Sequence, residues 1–287
     1  MVEHIQNNMK PEHAFEQLLD EFPFENYIEC KHLSNVYKTV TDTVLTNLPS
    51  GSKILDFGCG PCDKTIILKK LGYDCYGYDD LQDDWHKIND NRKLILNNIK
   101  QNGIKFIDAG IEKEWPFNKS EFDMVILNDV IEHLHDSPRV LLNDLVDILK
   151  DGGLLFITVP NAGNIRKRIH LMLGKTNLPP FNGYYWSPGP WRDHIREYVL
   201  NDLKKLAFYL ELKIIEIKAR DHMLVPGKMP KAFIPLWKAI TVLFPGWKDS
   251  WSLLAMKPNG WTGNRDPREI EGYTFNPIIK DIHRNSI

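Results

Sequence analysis

Only four cysteines occur among the 287 residues, and so few exclude a fold that depends on a disulfide framework. Long hydrophobic runs are also missing. The most apolar late stretch, residues 232–244, contains Lys238 and falls short of the roughly 20 apolar residues that a membrane-spanning helix needs. The opening MVEHIQNNMK is polar and does not have the apolar run of a signal peptide. We therefore expect a cytoplasmic protein without a transmembrane segment.

A strong net charge is absent as well. The chain has 36 Lys and Arg residues against 38 Asp and Glu residues, which leaves a net charge of −2. No field over the whole molecule would attract a nucleic acid, and we expect no nucleic-acid partner. The sequence has only one dense basic cluster. We interpret it as a solvated helix face, and the alternative is that it binds a phosphate group of the acceptor. The cluster comprises Arg166, Lys167, Arg168, His170 and Lys175.

Short apolar runs that alternate with amphipathic helices indicate one α/β domain built on a parallel sheet. These runs are 53–57, 75–78, 105–107, 124–127, 154–159, 212–218 and 252–256. Helical periodicity in residues 1–50 predicts a helical lead-in. We place the domain at 51–258, with insertions at about 161–197 and 221–250, and we expect residues 259–287 to be a polar tail.

The two insertions differ in composition. The first interleaves glycine and proline with aromatic residues such as Phe181 and Trp186, and this composition favours a functional loop. The second is apolar and includes Met223 and Phe233. We expect it to form a lid or a core contact, with dimerisation and peripheral contact with a membrane surface as alternatives. Its prolines argue against one long amphipathic helix.

One helix is marked at both ends. Ser137 is a suitable N-cap, Pro138 suits the first turn, and the run Asp151-Gly152-Gly153 marks the end. The predicted inner face consists of Val140, Leu141, Leu145, Ile148 and Leu149.

The segment 53–64, KILDFGCGPCDK, predicts a buried strand that breaks into a glycine turn and then opens a helix. Gly58 and Gly60 let a ligand approach the backbone, and the start of the helix offers unpaired N–H groups. A dinucleotide-binding turn would have the form G-x-G-x-x-G. Here Asp63 occupies the third glycine position, and its carboxylate disfavours a pyrophosphate.

Three aspartates follow three consecutive predicted strands. Asp56, Asp79 and Asp108 should all lie at the carboxyl edge of the sheet, where α/β proteins bind their ligands. Carboxylates can accept hydrogen bonds from a ribose diol and from an exocyclic amine, and they favour a nearby ammonium or sulfonium group. These requirements describe S-adenosylmethionine better than they describe NAD.

These motifs resemble those of class I S-adenosylmethionine-dependent methyltransferases, in particular the small-molecule type that includes the ubiquinone-biosynthesis O-methyltransferases. The resemblance covers about residues 50–220 and 251–258. It implies a doubly wound, Rossmann-like sheet of seven mostly parallel strands, with helices on both faces and an antiparallel last strand. It also implies a methyltransferase that uses S-adenosylmethionine and acts on a small-molecule acceptor.

The resemblance assigns roles to individual residues. Asp79 would hold the ribose hydroxyls, and Asp108 and Ala109 would lie beside the adenine. Residues 128–132 would line the methionine side. Cys62 departs from the pattern, because the family often has a third glycine there, and the turn could be tighter as a result. The full set of implied cofactor-binding residues is Asp56, Gly58, Cys59, Gly60, Asp79, Asp108, Ala109 and Asn128.

The candidate proton acceptors for an acceptor hydroxyl are His133, His135 and His194. His194 is the first choice, because it ends the aromatic insertion in a segment that resembles the one over the substrate pocket in relatives. His133 is the second catalytic candidate. Asp129, Glu132 and His133 would share one helix face and so offer a place for a divalent metal. We favour packing against the cofactor for this face and assign no metal ligands.

Two rival functions stay open. Cys59-Gly60-Pro61-Cys62 spells the C-G-P-C of thioredoxin-like dithiol oxidoreductases, although no tryptophan precedes the first cysteine. A catalytically inactive cofactor-binding protein is the other rival. Our expectation is methyl transfer to an oxygen of a sugar, a phenol or a lipid-linked precursor. The sequence leaves the acceptor and the oligomeric state undetermined.

Overall fold

The computed structural model describes residues 9–25, 27–112, 114–222 and 234–263. The strands are β1 Lys53–Phe57, β2 Asp74–Asp79, β3 Lys105–Asp108, β4 Phe122–Asn128, β5 Leu149–Pro160, β6 Lys213–Arg220 and β7 Ser250–Met256. They form one sheet in the order β3-β2-β1-β4-β5-β7-β6. Strands β1 to β5 pair in parallel, and β7 is antiparallel to β5 and β6. The predicted fold class is confirmed.

Helices cover both faces of the sheet. They are α1 Pro11–Glu21, α2 Asn35–Asn47, α3 Asp63–Lys70, α4 Asp84–Lys87, α5 Asn91–Gln101, α6 Arg139–Asp147, α7 Ile165–Met172, α8 Phe181–Tyr185, α9 Leu200–Tyr209 and α10 Ile234–Leu243. Successive side chains of a strand point to opposite faces. Ile54 therefore joins the apolar cluster beneath α1, α2 and α3, whereas Leu55 joins the cluster beneath α6 and α9.

The region of the predicted lead-in contains α1 and α2. Ala14, Phe15 and Leu18 are buried on α1, at the spacing that places residues on one side of a helix. Both α1 and α2 contact α3. The lead-in region therefore packs on the helix that follows the glycine turn.

Helix α6 differs from its prediction in its ends and in its face. It begins at Arg139 and ends at Asp147, and the run Asp151-Gly152-Gly153 lies inside β5. Val140 is 60% exposed. The buried residues of α6 are Leu142, Asn143, Leu145 and Val146, and Leu142, Leu145 and Val146 follow the spacing i, i+3 and i+4 of one helix face. Val140 lies off this stripe.

The described parts of the insertions are largely exposed. No residue of α7 or α8 in the first insertion is buried. Helix α10 in the second insertion buries only Thr241, so it does not make the expected core contact. Residues 223–233, with Met223 and Phe233, and residues 264–287 of the predicted tail lie outside the described residues. Within the described ranges, no helix has the length and hydropathy to cross a membrane.

Candidate active site

The glycine turn joins β1 to α3 through three residues with left-handed backbone. Gly58, Gly60 and Cys62 have φ angles of 73°, 53° and 60°. A Cβ added at Gly58 would lie 2.6 Å from a methyl carbon of Val130, so only glycine fits there. Cys62 occupies the position where relatives often carry glycine, and its left-handed φ explains that preference. The turn keeps this conformation although a side chain is present.

Asp79 holds the turn against the end of β2. The backbone N–H of Gly60 donates to Asp79 Oδ2 at 2.8 Å, and that of Leu81 donates to Asp79 Oδ1 at 2.7 Å. Burial raises the pKa of this carboxyl, and the two backbone hydrogen bonds oppose the rise. Each oxygen keeps a second lone pair, which a ligand hydroxyl can use.

Asp56 lies beneath the turn and outside the lining of the cavity. Its side chain is buried, and Thr65 Oγ1 donates to Asp56 Oδ2 at 2.6 Å. Burial raises the pKa of this carboxyl to about 6. The structure therefore gives Asp56 a place in the support of the turn, and it does not bring the carboxylate to the cavity together with Asp79.

Asp108 is already engaged by protein groups. Arg92 forms an ion pair with Asp108 Oδ2, and the backbone N–H of Gly110 donates to Asp108 Oδ1 at 3.0 Å. The neighbouring Ala109 lines the cavity, and its N–H donates to the Asp79 carbonyl at 3.0 Å. An adenine amine would have to share Asp108 with Arg92.

A cavity of about 440 Å³ lies at the carboxyl edge of the sheet. Predicted residues that line it include Gly58, Asp79, Ala109, Asp129, Val130 and His133. Cys59, Gly60 and Asn128 are not among the residues that line it, and Asn128 Oδ1 accepts from Thr158 Oγ1 at 2.9 Å. Lining residues that the sequence analysis missed include Tyr78, Asp80, Asp83, Pro190 and Arg192.

Part of the first insertion crosses this cavity, and we name residues 190–196 the covering segment. Arg192 Nε lies 2.9 Å from Asp83 Oδ1, and Arg192 Nη2 lies 2.9 Å from Asp80 Oδ1. His133 Nδ1 is 2.7 Å from the Arg192 carbonyl. The backbone N–H groups of Ile195 and Arg196 both donate to the Glu132 carbonyl. The insertion is thus fastened to loops at both sides of the cavity.

The two predicted catalytic histidines lie together. The rings of His133 and His194 have centroids 5.0 Å apart and planes at 79°. His194 Nδ1 is 2.8 Å from Glu197 Oε1, and Lys167 contacts the other oxygen of Glu197. Burial opposes ionisation of Glu197, yet the hydrogen bonds from His194 and Lys167 lower its pKa below the ordinary value. Glu197 is therefore a carboxylate that orients the imidazole.

His194 also borders a second cavity, of about 210 Å³. Its lining includes Leu178, Pro179, Arg196 and Glu197, all from the first insertion. His133 lines the first cavity and His194 the second. The pair of rings therefore lies where the two cavities approach each other.

Asp129, Glu132 and His133, the candidate metal-binding residues, do not lie together on one face of an α-helix. Residues Ile131–His133 make a short 3₁₀ turn, and Asp129 precedes it with a φ of 56°. Ligand atoms of Glu132, His133 and His194 lie within 4.8 Å of one another. Burial, with Asp129 nearby, raises the pKa of Glu132 to about 9, and neither carboxyl oxygen has a hydrogen-bond partner among the described residues. Burial therefore favours the neutral form of the Glu132 carboxyl.

The C-G-P-C cysteines have the opposite properties to a redox-active pair. Both are buried, and their sulfurs are 3.2 Å apart. Burial raises the pKa of Cys59 and of Cys62 above the ordinary thiol value, whereas a reactive cysteine has a lowered pKa and partial exposure. The two sulfurs fill space under the turn, next to Gly77, and this environment argues against the dithiol oxidoreductase.

The family model and the curated relatives that match this chain are all methyltransferases. A family model described as a methyltransferase domain matches residues 31–216. Ubiquinone biosynthesis O-methyltransferase of Rattus norvegicus, a mitochondrial protein, is 32% identical over 127 residues, which are 44% of this chain and 36% of the rat protein. The enzyme of the same description from Dictyostelium discoideum is 28% identical over 192 residues, or 63% of this chain and 56% of that protein.

A solved structure shares the fold. Phosphoethanolamine N-methyltransferase 2 of Haemonchus contortus, in complex with S-adenosyl-L-methionine, has a TM-score of 0.51 and 17% identity. The match covers 86% of this chain and 56% of that one. The chain spans between about a third and just over half of the length of the two curated relatives described above.

The packing of the cysteines under the turn predicts a stability effect at Gly77. A Cβ there would lie 2.9 Å from both sulfurs, so we expect Gly77→Ala to lower the free energy of unfolding by about 1–3 kcal/mol. Urea unfolding followed by circular dichroism measures this change.

Gly189→Ala is the matched control, because an added Cβ there meets nothing within 4 Å. Adding Cys62→Ala to Gly77→Ala should restore part of the loss, since one of the two clashing sulfurs is removed. Equal stability of Gly77→Ala and Gly189→Ala would contradict the described packing.

Proposed function

Because the chain belongs to the class I S-adenosylmethionine-dependent methyltransferase family, we propose that it transfers a methyl group from S-adenosylmethionine to an oxygen of a small-molecule acceptor. The observation that carries the proposal is Asp79, whose carboxylate lies at the rim of a cavity of about 440 Å³ with both oxygens oriented by backbone N–H groups. A cavity of this size suits a ligand of nucleoside dimensions.

The cofactor side of the site fits S-adenosylmethionine in shape and in charge. Asp79 would receive the ribose hydroxyls, and Gly58 brings its backbone into the cavity wall. Phe57 and Tyr78 stack at 4.7 Å and give the cavity an apolar wall. When bound, S-adenosylmethionine supplies a methyl carbon that is activated by a positively charged sulfur.

The protein would contribute orientation, exclusion of water and a proton acceptor. The covering segment lies over the cavity and limits access of water. Glu197 holds His194 through Nδ1, which leaves Nε2 available to accept the hydroxyl proton. By taking that proton, His194 would free an oxygen lone pair of the acceptor for attack on the methyl group that the cofactor supplies.

The second cavity supports a small acceptor that combines apolar and polar groups. Leu178 and Pro179 supply apolar contacts, and Arg196 and His194 supply donors. Relatives named as O-methyltransferases favour an oxygen nucleophile. A sugar, a phenol and a lipid-linked precursor all meet these requirements, so the acceptor panel must contain each class.

We expect Asp79→Asn to weaken binding of S-adenosylmethionine by about 10- to 100-fold. The substitution removes the charge from hydrogen bonds to the ribose, and a hydrogen bond to a charged group contributes about 1.5–3 kcal/mol. Isothermal titration calorimetry measures the affinity, with NAD as the comparison ligand.

Asp151→Asn, a change at an exposed carboxylate of β5, is the control and should bind as the unaltered protein does. Thermal unfolding shows whether Asp79→Asn keeps the fold. A folded Asp79→Asn protein with unchanged affinity would refute the ribose assignment, and stronger binding of NAD would refute the choice of cofactor.

We expect His194→Ala to lower kcat by about 10²- to 10⁴-fold, the usual contribution of general base catalysis. Glu197→Gln should lower kcat less, because the imidazole remains but loses its anionic partner. The assay follows transfer of a labelled methyl group to phenol, sugar and lipid-linked acceptors, each with and without a chelator.

Several outcomes separate the alternatives. Full kcat in His194→Ala would exclude His194 as the base, and loss of activity only with chelator would favour a cation at Glu132, His133 and His194. Nitrogen-15 NMR of the imidazoles should show Nδ1–H in the unaltered His194 and a changed tautomer balance in Glu197→Gln. Tight cofactor binding without transfer to any acceptor would favour the inactive binding protein.

A further inference from the structure

The sheet ends in two edge strands of different length. Strand β3 has four residues, and β6 has eight. An edge strand presents a row of unpaired N–H and C=O groups, and many proteins protect such an edge by keeping the strand short. Among the described residues, β6 pairs only with β7, so its outer side is open. The longer edge is therefore the one that can accept another strand.

Apolar side chains lie beside this open edge. Ile214 and Ile215 are 41% and 46% exposed, and Phe208 is 68% exposed on α9, the helix that contacts β6. The register of β6 with β7 shifts between Ile214 and Glu216, which places an irregularity near the start of the strand. The remainder, residues 216–220, is regular. It offers backbone groups for pairing, and the apolar residues beside it offer area that a partner can bury.

The two faces of this regular part differ in chemistry. Lys218 Nζ lies 2.9 Å from Glu216 Oε2, and Arg220 Nη2 lies 3.0 Å from Glu216 Oε1. These three charged side chains therefore share one face of the strand, as alternate residues do. Ile217 and Ala219 belong to the apolar cluster on the opposite face. A strand that pairs with β6 must match both faces.

We propose that a second copy of this chain pairs with this edge, β6 against β6 in antiparallel orientation, with a two-fold axis at Ile217. A two-fold axis brings the same surface of both copies together. Residues directly opposite each other in an antiparallel pair share a face. With the axis at Ile217, Glu216 of each copy therefore lies opposite Lys218 of the other, and apolar residues meet on the opposite face.

The charges select this register within residues 216–220. An axis at Glu216 would place two glutamates opposite each other. An axis at Lys218, or at either residue after it, would oppose two cations, and like charges directly opposite are destabilising. An axis between two residues would oppose side chains that belong to different faces. Lys218 has three donors, so it can keep its own Glu216 and also reach the glutamate of the second copy.

Sedimentation velocity of the full chain tests the proposal. Measurements over about a hundredfold range of concentration should show a dimer that dissociates on dilution. We expect Glu216→Lys and Lys218→Glu, each made alone, to raise the dimer Kd about tenfold or more, because each opposes like charges at two symmetric positions. The two substitutions together restore opposite charges, and the Kd should return to within about threefold of the original value.

The other edge strand provides the matched control. Lys105→Glu on β3 reverses the charge of an exposed side chain that pairs with Asp74 at 2.9 Å, and this variant should dimerise as the unaltered chain does. Hydrogen exchange in residues 213–220 should be slower at high concentration than at low concentration, whereas exchange in residues 105–108 should be equal at both. Thermal unfolding of dilute protein verifies the fold of every variant.

The proposed pairing is independent of the proposed methyl transfer, because β6 lines neither of the two cavities. Cofactor calorimetry on the same variants should therefore give unchanged affinity. This measurement keeps a failure of pairing distinct from a failure of the proposed function.

Three results would overturn the pairing. One is a monomer at every concentration, which would be assigned to another segment of the same chain on this edge if residues 213–220 were also protected from exchange throughout. Another is a dimer whose Kd neither single substitution changes. The third is a dimer that Glu216→Lys weakens and that the combined variant does not restore, because the two charges would then not meet across the axis.

Discussion

The cofactor side of the site depends on the contact between the glycine turn and the end of β2. The Tyr78 carbonyl accepts from the N–H groups of Gly58 and Cys59, and Asp79 accepts from Gly60. These bonds hold a turn whose left-handed residue Cys62 costs roughly 1–2 kcal/mol. A hydrogen bond to a carboxylate contributes a similar amount, about 1.5–3 kcal/mol, so Asp79 offsets the strain while it presents its oxygens to the cavity.

The covering segment imposes a second constraint, because it ties the insertion to the same edge of the sheet. Arg192 bridges Asp80 and Asp83, and the Glu132 carbonyl receives two backbone N–H groups. The uncharged Glu132 side chain suits this arrangement, since an unpaired carboxylate could not be buried there at acceptable cost. His133 then lines the cavity of about 440 Å³, and His194 lines the cavity of about 210 Å³.

The local sequence pattern and the rules of sheet topology were sufficient to predict the sheet and part of the candidate site. Asp79 and Ala109 could be placed because parallel strands bring their carboxyl ends to one edge. The ion pair of Arg192 with Asp80 spans 112 residues and leaves no local signal. Asp108 was predicted at the correct edge of the sheet, but its ion pair with Arg92 depends on how α5 packs. The buried face of α6 could not be predicted without knowing where that helix begins and ends.

The first insertion has two sides with different chemistry, and both belong to one short stretch of chain. Its inner side carries Arg192 and His194, which are held by acids through ion pairs and hydrogen bonds. Its outer side carries Phe181 and Trp186, which no residue of the described chain buries. A ligand on the outer side can affect the cofactor site only by changing the contacts that hold the covering segment. Any such coupling must be reciprocal, so the cofactor would change the affinity for that ligand by the same factor.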